Sequence, residues 1–221
     1  MANLKMKLHL GCGEIHLDGY LNIDYPPASH AVQTKSAADE YHNILELAYP
    51  ANSIEEIRLH HVFEHFTRAS ALGLLAGWWT WLVPGGLLRI EVPDFDRTAW
   101  AVLSPFTPKK KKMIGLRHIF GSQEAAWAFH LEGWSSGRLR CLLESFGYRI
   151  EQTKKNQWHG TYNVEMFAGK TTRNMQKSDF ENAARAWLSG FMVDESATEQ
   201  RMITVWMEQF AAQLSKSLAK A

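Results

Sequence analysis

With 221 residues and 25.2 kDa, the chain has room for one medium α/β domain plus an appendage, and not for two large independent domains. Its 46% hydrophobic residues against 21% charged can fill a core, which excludes disordered and fibrous classes. Twenty-four basic residues against 23 acidic ones leave a net charge of +1, so the broad positive field of a phosphate-gripping protein is missing and no nucleic-acid partner is expected.

Cys12 and Cys141 are too few and too far apart for the disulfide framework of a secreted protein, and a reducing, cytoplasmic setting is expected. The first residues lack the apolar stretch of a signal peptide. The longest apolar run, 69–83, is broken by glycines and stops at Pro84, short of the roughly 20 residues a membrane span needs.

In chain order, Met6, Leu8 and Leu10 alternate with Lys7 and His9 and predict a strand ending in the turn Gly11-Cys12-Gly13. Tyr20 to Ile23 predicts a second strand that ends in Asp24, because Pro26-Pro27 forbids continuation. Residues 56–63 predict another strand. Thr67 then caps a helix whose Leu72, Leu75, Trp79 and Leu82 share a face. Pro84-Gly85-Gly86 stops that helix and Leu87 to Val92 is strand again, so 56–94 reads as a parallel βαβ unit.

Residues 97–134, punctuated by Pro105, Pro108, Gly115, Gly121 and Gly133 and dense in histidines and aromatics, read as an irregular cover on the substrate side. Ser135 or Ser136 caps a helix carrying Leu139, Leu142, Leu143 and Phe146, which Gly147 ends. Two strands follow, Tyr148 to Thr153 and Asn163 to Ala168. These elements make an α/β domain over 1–172, and 173–221 is a helical extension. No internal repeat is present.

The first chemical signal is Gly11-Cys12-Gly13 at the carboxyl end of the first strand, where glycines let backbone approach a nucleotide-like ligand. Alone it is equally a tight turn. Asp24, at the end of the next strand, adds a carboxylate that can accept both hydroxyls of a ribose.

Four ordered segments carry a resemblance: Leu8 to Gly13 (LHLGCG), Leu17 to Asp24 (LDGYLNID), Ser53 to Phe66 (SIEEIRLHHVFEHF) and Leu82 to Asp94 (LVPGGLLRIEVPD). Over roughly residues 5–170 the chain resembles class I S-adenosylmethionine-dependent methyltransferases, most of all the small bacterial type-11 group often linked to surface-polysaccharide biosynthesis. The resemblance implies a Rossmann-like, doubly wound, mostly parallel sheet and S-adenosyl-L-methionine as cofactor. It implies that Gly11, Cys12 and Gly13 form the loop beside the methionine part, that Asp24 holds the ribose, that Asn43, Ile44 and Leu45 form the adenine turn, and that His61 lies near the amino-acid end. Gly13 and Asp24 are only eleven positions apart, so the first crossover helix is short or missing. Asn43 stands where many relatives have Asp. The acceptor implied is a small molecule or glycan-type hydroxyl.

In-line methyl transfer needs alignment and, for a hydroxyl acceptor, a proton acceptor near neutral pKa. His130 and His118, both in the cover and surrounded by aromatics, are the candidate bases, His130 first. Either also serves as a tether of the cover. His61-Val62-Phe63-Glu64-His65 matches the inverted zinc-protease motif, but that chemistry needs both histidines on one helical face. Here a strand precedes the motif and the helix cap follows it, so a zinc hydrolase is not expected and no metal is assigned. A non-catalytic domain of the same fold, binding the cofactor or a partner, is the alternative.

Lys109 to Lys112 reads as a solvated run or a contact for a phosphate-bearing acceptor. In the extension, Ile203, Trp206, Phe210, Leu214 and Leu218 form an apolar stripe that must be covered. A homodimer through this helix is the expectation, with docking on its own domain as the alternative.

Overall fold

A computed structural model describes residues 6–218. Seven strands form one sheet: β1 (Met6–Leu10), β2 (Leu21–Asp24), β3 (Glu40–Tyr41), β4 (Ile54–His60), β5 (Leu82–Pro93), β6 (Tyr148–Trp158) and β7 (Thr161–Lys170), in the order β3-β2-β1-β4-β5-β7-β6. The first five run parallel, β7 runs antiparallel to β5, and β6 antiparallel to β7. The helices are α1 (Arg68–Trp81), α2 (Phe95–Leu103), α3 (Lys109–Phe120), α4 (Ser136–Ser145), α5 (Lys177–Ser189) and α6 (Ala197–Leu218). This is the Rossmann-like α/β architecture expected. No helix joins β1 to β2, as the eleven-position spacing required.

The central strand β1 departs from the alternation that marked it. Leu8 and Leu10 are buried, and so is His9 on the opposite face, because its ring Nδ1 meets the Asn22 side-chain oxygen at 3.0 Å and satisfies it away from water. Helix α1 begins at the Thr67 cap, whose hydroxyl accepts from the Ser70 amide. It is buried nearly all round, Trp78 and Trp81 completely. The second covering layer is α6.

Gly73 and Gly77 face α6 so closely that a Cβ at either would fall 2.7 Å from Gln213 Cβ or 2.4 Å from Ser217 Cβ. Phe210 and Leu214 are buried in the same core, and Trp81 Nε1 donates to the Ser217 carbonyl at 2.8 Å. The stripe that prompted the dimer expectation is therefore covered by its own domain: Ile203, Phe210 and Leu214 are buried, while Trp206 and Leu218 pack at the edge of that core. The 173–221 extension contributes Phe180, Ala184 and Leu188 of α5 to the same core.

The cover segment, expected to be irregular, contains α2 and α3. Asp94 caps α2 by accepting from the Arg97 amide, and the lysine run forms the first turn of α3 after Pro108. Lysine is a good helix former, but Pro105, Pro108 and Gly121 at the joints and Gly115 inside α3 hid two ordinary helices. Among the described residues, no helix is long and apolar enough to cross a membrane.

Candidate functional site

A cleft of about 550 Å³ opens at the carboxyl ends of β1, β2 and β4, where the strand order reverses direction around β1. Its size falls in the range of roughly 300–1,000 Å³ of small-molecule sites. One wall comes from the turn after β1. The Gly11 and Cys12 amides both donate to the Ile23 carbonyl, at 2.8 and 3.1 Å, so the chain wraps tightly over the neighbouring strand. That wrap needs φ +67° at Gly11, and a Cβ there would lie 2.3 Å from Val62 Cγ2. Only glycine fits. At Gly13 a Cβ would meet nothing within 4 Å, so this residue borders the open space of the cleft.

Asp24 lines the same cleft. One carboxylate oxygen accepts from the Gly13 amide at 2.7 Å and the other from its neighbour Tyr25 at 2.7 Å, which fixes the carboxylate at the end of β2 with a lone pair left on each oxygen. His30 Nε2 approaches it at 3.7 Å. Ile44, Leu45, Val62 and Phe66 supply an apolar wall. Trp127 sits across the mouth, its indole N–H donating to the Ser29 carbonyl at 2.8 Å and its ring 5.0 Å from His30.

Several expected site residues stand elsewhere. Cys12 is buried and does not line the cleft, because the turn points its side chain inward. Burial and the Asp24 charge push its thiol up to about 12. Asn43 is not on the wall either. Its side-chain oxygen accepts from the Leu45 amide at 3.0 Å and the Tyr25 hydroxyl at 3.1 Å, capping the short 3-10 turn Ile44–Glu46 that carries the two wall residues. It shapes the apolar wall without facing the cleft.

Neither candidate base faces the cleft. His118 donates Nε2–H to the Tyr162 carbonyl and His130 donates Nδ1–H to the His118 carbonyl, both at 3.0 Å, so each ties the cover to the sheet. Burial lowers the pKa of both. The histidines that line the cleft are His60, His61 and His65, with His30 beside Asp24.

His61 leaves β4 with φ +55°, a conformation costly for a residue with a side chain. Its Nδ1 lies 3.3 Å from the carboxylate of Glu64, which is 1% exposed. Burial disfavours the charged ring, but the Glu64 contact and charge outweigh it, and the His61 pKa is raised. Burial likewise opposes ionisation of Glu64, yet His61, His65 and His130 around it hold its carboxyl below the usual range. Beside them, His60 pairs with Glu91 at 3.3 Å, and Asn156 donates to the same carboxylate at 3.0 Å.

Sequence reasoning places Trp127 on the acceptor side, and it does line the cleft, but it missed Tyr25, His30, His65 and Phe66 as wall residues. Two had a readable signal: Tyr25 follows Asp24 and precedes a proline pair, so it had to leave the sheet at its carboxyl edge, and His65 belongs to a motif already singled out. His30 lies in a segment without periodicity.

No protein-family model and no curated protein matches the chain. Solved structures do match it in fold. A chain of the complex between the Haloferax volcanii Trm112 methyltransferase activator and a methyltransferase aligns with a TM-score of 0.55 at 10% identity, over 78% of this chain and 84% of that one. An S-adenosylmethionine-dependent methyltransferase from Methanosarcina mazei aligns with a TM-score of 0.51 at 14% identity, over 78% and 95%. The fold is the one these methyltransferases share.

Proposed function

We propose that the protein is an S-adenosylmethionine-dependent methyltransferase acting on a hydroxyl of a sugar or glycan-type acceptor. The observation that carries the proposal is Asp24, held by two backbone amides at the end of β2 on the wall of a cleft bounded by Gly11 and Gly13. The cleft fits the cofactor in kind: a carboxylate for vicinal hydroxyls, an apolar wall at Ile44, Leu45 and Phe66 for an adenine, and open backbone at Gly13. When bound, the cofactor supplies an electrophilic methyl on sulfur. The chain's own residues have to align the acceptor and take its proton.

His61 is the base in this reading, in place of His130 and His118. Its Nδ1 faces the buried Glu64 carboxylate, which orients the ring and stabilises the imidazolium, leaving Nε2 to accept a proton. Trp127 supports a sugar acceptor, since a half-buried indole at the mouth offers an apolar face to a sugar ring. The resemblance to the type-11 group supports the same choice.

Calorimetric titration with S-adenosylhomocysteine tests the proposal. Micromolar binding is expected, weakened in Asp24→Ala by about 1.5–3 kcal/mol, the worth of hydrogen bonds to a charged group. Absence of saturable binding, or equal affinity in a folded Asp24→Ala variant, overturns it.

A further inference from the structure

The methyl-transfer reading uses Glu64 only as a support for His61, and this leaves the carboxylate underused. It is 1% exposed, and beyond the ion-pair contact of His61 with Oε1 at 3.3 Å neither oxygen receives a well-aligned hydrogen bond. A buried anion of this kind needs a counter-charge. Besides His61, two imidazoles face it: His130 Nε2 lies 3.9 Å from Oε1, and the His65 ring is 4.7 Å from the His130 ring.

The tautomers of these two rings follow from their other contacts. His65 Nδ1 meets the Phe129 carbonyl at 3.0 Å and His130 Nδ1 meets the His118 carbonyl at 3.0 Å. A carbonyl only accepts, so each Nδ1 carries the hydrogen and each Nε2 offers a lone pair. Backbone carbonyls behind Nδ1 are the usual outer support of metal-binding histidines. The ligand atoms of Glu64, His65 and His130 lie within 4.8 Å of one another. The two segments that carry them are already joined, because the Leu131 and Glu132 amides both donate to the Glu64 carbonyl, at 2.8 and 3.3 Å.

We propose that Glu64, His65 and His130 bind one divalent transition-metal ion, zinc or a close analogue, at the inner side of the cleft. Two neutral imidazoles and one carboxylate suit such ions, whereas Mg²⁺ and Ca²⁺ prefer all-oxygen shells. Metal–ligand distances of about 2.0–2.2 Å require the three side chains to draw together slightly, within reach of rotamer adjustment. The neighbouring group of His60, His61 and Glu91 is a poorer site, because a Glu91 oxygen already accepts a hydrogen bond from Asn156, a residue outside the group. The arrangement differs from a zinc protease: His61 is not a ligand, and the second imidazole comes from the cover. Of the three, His65 lines the cleft while Glu64 and His130 lie behind its wall, so an open coordination position on the His65 side is the one a cleft ligand could reach. An acceptor hydroxyl taken up there would lose its proton more easily. That role rests on the methyl-transfer reading, whereas binding of the ion does not.

The test uses full-length protein freed of metal by chelator and titrated with zinc in a calorimeter, no cofactor being added. Bound zinc is then counted by elemental analysis after gel filtration. One ion per chain is expected, with affinity reduced at least tenfold in His130→Asn and in His65→Asn and unchanged in His60→Asn; circular dichroism melting checks that each variant is folded. No saturable zinc binding by the unmodified protein overturns the proposal. So does zinc held equally by the His65 and His130 variants, or lost only with His60→Asn. Cofactor titration is a separate measurement, so failure of the methyl-transfer reading leaves this result distinguishable.

Discussion

The side-chain amide of Gln213, in the last helix, donates to the carbonyl of Leu45 at 3.0 Å, joining two residues 168 positions apart. Lys216, one turn on, pairs with Glu46 at 2.6 Å. Helix α6 thus supports the 3-10 turn that supplies the apolar wall of the cleft. Gln213→Ala leaves the Leu45 carbonyl without its partner and is expected to cost about 1–3 kcal/mol of stability. Urea unfolding measures that loss. Weaker cofactor binding in the same variant would reveal that the wall has moved.

Gly11 makes a separate prediction. Alanine there must adopt φ +67° and also displace Val62. Gly11→Ala is expected to lose about 1–3 kcal/mol. Combining it with Val62→Ala relieves the contact and not the backbone strain, so stability should return only in part. A double-mutant cycle of urea midpoints measures the coupling.

Acid should weaken the fold before the carboxylates titrate. Burial lowers the His9 pKa, against the opposing Asn22 bond, and burial likewise lowers His118 and His130. At these three rings the folded state then binds fewer protons than the unfolded chain, while His61, raised by Glu64 despite its burial, offsets part of the effect. The three neutral forms contribute fully above the unfolded pKa of about 6.5, and stability falls as pH drops below it. Melting temperatures at pH 7.5 and pH 5.5 check this, and His9→Gln should show a shallower fall.

The tail predicts an oligomeric state. Buried Ile203, Phe210 and Leu214 each contribute roughly 1.5–3 kcal/mol to intramolecular docking. Light scattering should find the full chain monomeric at micromolar concentration. A chain ending near Thr172 should aggregate, because it bares the α6-facing side of α1.

The carboxyl-edge features were legible in sequence because they are local. A Gly-x-Gly after an alternating strand, and an acid before a proline pair, fix their own surroundings. What lay hidden depends on long-range packing. His118 and His130 were readable as cover histidines, but which way they face is set by the carbonyls of Tyr162 and His118, which only the fold brings near. Asn43 entered only through the resemblance, and its capping of the turn rests in part on the Tyr25 hydroxyl, which the fold brings near. The tail's stripe told that it must be covered, and the matching clue was the small-residue pair Gly73 and Gly77 in α1, whose spacing makes a groove for another helix.

Cys12 has one further consequence. A sulfonium methyl donor alkylates thiolates, and this sulfur sits in the turn that would cradle such a donor. Because the thiol is turned into the core and its ionisation is pushed up to about 12, almost none of it is thiolate at neutral pH. The turn gains a small, soft packing atom without offering the cleft a nucleophile that a methyl donor bound there could alkylate.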